Sequence, residues 1–108
     1  MDRNDIRNEV IGVMRSLRSE NSFNFESENV KGVKGEKFSL TRDFGLDSID
    51  MCHLCIECEK KFQINLPIDI ERNITLGEFV DLVEKELSWY NVDYQYYLIL
   101  STYAKNWN

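Results

Sequence analysis

Four groups of side chains in this 108-residue chain are of types that could do chemistry beyond folding. The first is the hydroxyl of Ser48, in the run Gly45-Leu46-Asp47-Ser48-Ile49-Asp50. A serine in the first turn of a helix keeps its hydroxyl outward. The helix N-terminus, with unpaired N–H groups and partial positive charge, tolerates an anion esterified there. Gly45 permits a tight backbone path into that turn. The second group is Cys52, Cys55 and Cys58, whose spacing copies part of an iron–sulfur motif. On a helix they stand at i, i+3 and i+6 and sweep about 120° around it, whereas a cluster needs thiolates converging from irregular backbone. Small apolar cysteines on a helix are the better reading, and no metal is expected. The third is His53, the single histidine, which points away from Cys58 on a helical wheel and pairs with no nucleophile. The fourth is KGVKGEK over 31–37, which lacks the spacing of a phosphate-binding loop and reads as a solvated charged segment.

These groups must be positioned by elements, and the hydrophobic periods say which. Ile6, Val10, Val13, Met14 and Leu17 fall on one face at about 100° per residue, predicting an amphipathic helix over 3–19. Arg3, Arg7, Glu9, Arg15 and Arg18 lie mostly off that face. Residues 21–41 show no sustained period and read as a long surface loop, anchored by Phe23, Phe25, Val30, Val33 and Phe38. A second helix is predicted over 48–62, with Asp47 or Ser48 as N-cap and Asp50 adding negative charge to the first turn. Met51, Leu54, Cys55, Cys58 and Phe62 make its core stripe. Ile49, His53, Ile56 and Lys60 make a separate face, with two isoleucines where solvent should be. Pro67 is expected to stop the run.

Residues 69–73 read as a short helical turn. A helix over 75–87 follows, with Thr75 as N-cap and Glu78 at the capping-box spacing, burying Leu76, Phe79, Val80, Val83 and Leu87. The tail, 88–108, is dense in aromatics. Tyr96, Ile99, Leu100, Tyr103 and Trp107 keep helical spacing there. The expectation is an all-α fold of one domain, 1–87. The 88–108 segment is expected to be a helical extension, packed on it or binding a partner.

Composition limits the function classes. Thirteen basic against nineteen acidic residues give a net charge of −6, which disfavours nucleic acid as main partner. Apolar residues at 43% support a folded core. No apolar run is long enough to span a membrane, and MDRNDIRNEV lacks the core of a secretory signal. Three clustered cysteines build no disulfide framework. A cytoplasmic monomer is expected.

The run DFGLDSIDMCHLCIECEKKFQINLP, residues 43–67, resembles the acyl carrier proteins. Their signature is Asp-Ser-Leu after Gly-x, then a patterned helix closed by Phe, a polar stretch and Pro. Here Ile49 replaces the leucine, and Phe62 and Pro67 keep the spacing. The resemblance is specific over 43–67 and generic over the rest of 3–87. It implies a four-helix acyl-carrier-like bundle with a long loop after helix one. It also implies a 4′-phosphopantetheine arm on Ser48, transferred from coenzyme A by a phosphopantetheinyl transferase. Such a protein catalyses nothing; it holds acyl thioesters and delivers them to acyl-transferring or condensing enzymes of fatty-acid, lipid or secondary-metabolite synthesis. Asp47 and Asp50 flank the serine and suit a basic transferase surface. Asp47 also favours an acyl over a peptidyl carrier. Ile49, Asp50, His53, Ile56 and Lys60 form the expected docking face. His53, Lys60 and Lys61 stand where the family is commonly acidic, which points to a dedicated partner set. The rival readings are an unmodified carrier-like interaction module, a peptidyl or aminoacyl carrier, and a metal-binding protein using the cysteines.

Overall fold

A computed structural model describes residues 1–17, 30–67 and 69–88. Among the described residues three α-helices and one 3-10 segment enclose a single apolar core, with no β-ladder. The fold is all-α, as the periodicity predicts. Helix α1 spans Arg3–Leu17 and α2 spans Ser48–Phe62. Helix α3 occupies residues 76–88. The expected aromatic tail beyond residue 88 and the anchors Phe23 and Phe25 lie outside the described residues.

Each helix buries the stripe that its spacing assigns. Ile6, Val10, Val13 and Met14 turn inward from α1; Leu54, Cys58 and Phe62 from α2; Leu76, Phe79, Val80 and Val83 from α3. Met51, Cys55, Leu17 and Leu87 are partly buried against them. Each large apolar side chain so buried contributes roughly 1.5–3 kcal/mol against conformational entropy. Lys61 of α2 reaches Glu9 of α1 at 2.8 Å on the outer edge of the helix pair.

The segment between α1 and α2 departs from expectation. Gly32–Lys37 forms a 3-10 helix, and Ser39 pairs with Thr75 in an isolated antiparallel bridge. The Leu40 N–H donates to the Ile74 carbonyl and the Leu76 N–H to the Phe38 carbonyl, at 3.0 and 2.9 Å. These bonds fasten the connection to the start of α3. Val30 is buried as an anchor, but Val33 is 73% exposed and anchors nothing. A period search misses this segment because three residues per turn over two turns leave no sustained apolar stripe.

Two further corrections concern ends of elements. Residues 69–73 make turns rather than a helix, closed by the Ile74 N–H on the Glu71 carbonyl and the Thr41 hydroxyl on the Arg72 carbonyl. Helix α2 ends at Phe62, well before Pro67. Gln63 adopts a left-handed conformation, φ 55°, and its N–H donates to the Glu59 carbonyl. The stop is a C-cap, not the proline.

Candidate functional site

The site begins with what delivers the chain to α2. The carbonyl of Ser39 accepts the N–H groups of Asp43 and Phe44, and that of Leu40 accepts the Leu46 N–H, each at 3.0 Å. The Asp43 carboxylate accepts the Ser39 N–H at 2.7 Å. This tight fold inserts Phe44 and Leu46 into the core, with Phe44 edge-on to Phe38 at 6.3 Å between ring centres. Between the two buried anchors, Gly45 adopts φ 77°, a region open to glycine and costly for other residues.

Asp47 then caps α2. Its carboxylate accepts the Asp50 N–H at 2.8 Å, and the Asp50 carboxylate accepts the Asp47 N–H at 3.1 Å. The reciprocal pair satisfies two N–H groups that the helix leaves open and fixes the first turn. Ser48 is the first residue of that turn and is exposed. Its hydroxyl makes no hydrogen bond among the described residues. The geometry therefore presents an uncovered oxygen at the positive end of a fifteen-residue helix.

Beside the serine lies a cleft of about 670 Å³ between α2 and the 66–73 segment. Met51, Cys52, Cys55 and Ile56 wall it on the α2 side, and Leu66, Pro67 and Ile70 on the other. Thr41, Arg72 and Asn73 stand among its lining residues with Asp47 and Ser48. An apolar trough with a polar rim has the character of a ligand site.

Ile49, His53, Ile56 and Lys60 share one exposed face of α2, as the wheel predicts. Ile49 is 66% exposed and Ile56 47%, and His53 and Lys60 are exposed on the same side. Asp50 is only half-exposed and is engaged in the cap. Lys60 stands 3.6 Å from Glu57, so its charge is shared along its own helix. The three cysteines do not converge: Cys52 is exposed, Cys55 intermediate and Cys58 in the core. Burial pushes the Cys55 thiol up to about 11 and the Cys58 thiol up to about 12. Among the described residues no cluster of three His, Cys, Asp or Glu side chains is placed to hold a metal ion.

One constellation was not visible in the sequence. Arg7, placed off the buried face by its period, is 5% exposed. Its guanidinium donates to Glu36 at 2.6 Å and to Asn4 at 2.5 Å. Arg3 donates to the same Glu36 at 2.7 Å and also bonds Asp81 and Glu84 of α3. The Arg3 guanidinium, then that of Arg7, holds the Glu36 carboxyl below its ordinary range, against an opposing effect of burial. This clasp joins α1, the 3-10 segment and α3, far from Ser48 in sequence. Only the charge pattern of RNDIR hinted at it.

No family model matches the chain, and no solved structure matches it. Curated proteins do. Over 51 residues it is 41% identical to an acyl carrier protein of Amoebophilus asiaticus, aligning 46% of this chain with 64% of that one. It is 38% identical over 50 residues to an acyl carrier protein of Porphyromonas gingivalis, again spanning 64% of the relative's length. The match to an acyl carrier protein of Thermotoga maritima is 30% identical over 82 residues, 75% of this chain and 95% of the relative.

Proposed function

Because this chain belongs to the acyl carrier protein family, and so to a family of carriers, we propose that it carries acyl groups as thioesters on a 4′-phosphopantetheine arm attached to Ser48. The observation that carries the reading is the exposed Ser48 hydroxyl at the capped N-terminus of α2, with Asp47 before it and an apolar cleft beside it. The surroundings fit the arm. Helix α2 sets its partial positive charge against a phosphodiester. Leu46, Met51, Ile56, Leu66 and Ile70 offer an apolar chain shelter from water. When bound, the arm supplies a terminal thiol that holds the acyl group.

The protein's own residues then orient and recognise. Asp47 and Asp50 hold the first turn in place and set acidic charge beside the serine for a phosphopantetheinyl transferase with a basic surface. Ile49 and Ile56, with His53 and Lys60 around them, form the docking face for acyl-transferring or condensing enzymes. The basic side chains of this face fit a dedicated partner set in fatty-acid, lipid or secondary-metabolite synthesis. The protein itself catalyses no step. Among the described residues no helix is long and apolar enough to cross a membrane.

The test is intact mass after incubation with coenzyme A, magnesium and a broad-specificity transferase. The expected result is a gain of one phosphopantetheine in the native chain and none in Ser48→Ala. No gain in the native chain would leave an unmodified helical interaction module as the function.

A further inference from the structure

Ser48, Cys52, Cys55 and Glu59 follow one another along the α2 wall of the cleft. Their intervals of four, three and four residues stack them in a single row, one helical turn apart. Between Ser48 and Glu59 this wall is made of Met51, Cys52, Cys55 and Ile56, with no carboxylate and no basic side chain among them. The row then ends in a charge. Glu59 stands three turns from Ser48, about 16 Å along the helix axis. It is half-buried, and its carboxylate makes no hydrogen bond or ion pair among the described residues. Burial first, and then the charge of Glu59, push the neighbouring Cys55 thiol up to about 11, so the carboxylate is felt inside the trough. The charged residues of the other wall, Glu71 and Arg72, are exposed and keep their water.

An apolar chain laid along the row gains by leaving water as far as Cys55 and Ile56. Past that point it would strip water from the Glu59 carboxylate and offer it no compensating partner, which is unfavourable. A chain short enough to lie between Ser48 and Glu59 avoids the carboxylate, and one that fills the whole trough cannot. Resting on the carrier reading above, we infer that Glu59 sets the length of the acyl cargo. The cleft shelters a medium saturated chain such as octanoyl and leaves the end of a long one such as hexadecanoyl in water. The residue acts on which cargo is held, not on attachment of the arm, because it lies three turns from the serine.

The experiment loads the full chain with octanoyl, dodecanoyl and hexadecanoyl arms, using a broad-specificity transferase and the matching acyl coenzyme A. Intact mass reports loading, and the urea midpoint of each loaded form is compared with that of the same chain carrying a free arm. A chain sheltered only in the folded state raises the midpoint. The expected result is a rise with octanoyl and no further rise with hexadecanoyl. In Glu59→Leu the midpoint keeps rising through hexadecanoyl, and Glu59→Gln, which removes the charge at nearly constant size, moves the same way. All variants load at the native rate. A native midpoint that climbs through hexadecanoyl overturns the length limit, as does an unchanged plateau in both variants. An octanoyl arm that leaves the midpoint where it was overturns sheltering in the cleft while carriage on Ser48 stands. A chain whose mass shows no arm overturns the carrier reading and the inference with it.

Discussion

At the scale of single residues, Ser48 draws its character from two neighbours that never touch its hydroxyl. Asp47 and Asp50 exchange backbone-to-carboxylate bonds across the first turn of α2, and this fixes where the serine stands. Asp47→Ala removes the acceptor of the Asp50 N–H. The expected loss is about 1 kcal/mol of stability, read as a lower denaturation midpoint. On the proposed function the same variant is expected to slow arm transfer beyond that loss, because it also removes a carboxylate next to the serine. A denaturation curve and a transfer rate measured on one preparation separate the two effects. The cap at the start of α2 was legible in the sequence because capping chemistry is local. Asp at N-cap with Asp at N3 needs only four consecutive residues to declare itself. Arg7 was not legible. Its burial depends on Glu36, which is 29 residues away and reaches it only once the 3-10 segment is in place.

At the scale of elements, the Arg3–Glu36–Arg7 clasp links α1, the Gly32–Lys37 segment and α3. Glu36→Gln leaves Arg7 buried without its counter-charge, at a cost of roughly 3 kcal/mol. The pH dependence follows from the sign of the shift. The Glu36 carboxyl titrates below its ordinary range when folded, because it bonds Arg3 and Arg7. Its contribution is therefore complete above the ordinary glutamate range and is lost as pH falls through the depressed folded value. Urea midpoints measured from neutral to acid pH should fall less steeply for Glu36→Gln than for the native chain. Equal slopes would mean that the clasp carries no linkage. Helix existence and facing were legible from period alone for α1, α2 and α3. The connection was not, since its order comes from pairing with residues 74–76 rather than from its own pattern.

At the scale of the whole molecule, one apolar core holds the three helices together, and the cleft beside Ser48 opens between α2 and Leu66, Pro67 and Ile70. Phe79→Ala empties a fully buried site on α3 and should cost about 3–5 kcal/mol in a denaturant titration. The net charge of −6 acts over longer range. If the transferase presents a basic surface, the second-order rate of arm transfer falls as salt rises, by up to roughly tenfold, while the turnover at saturation holds. A rate indifferent to salt would remove the steering role assigned to Asp47 and Asp50.

By itself the sequence determined the all-α class, the bounds of α2, a cap at Asp47 or Ser48, the capping box at Thr75 and the outward isoleucines. Each of these follows from contacts within one turn or one helical face, where spacing along the chain is spacing in space. Tertiary structure alone decided the 3-10 segment, the buried Arg7, the ordinary turns at 69–73 and the thiol-walled cleft. Those depend on residues distant in the chain meeting across a packed core, and no local period encodes which distant partner arrives.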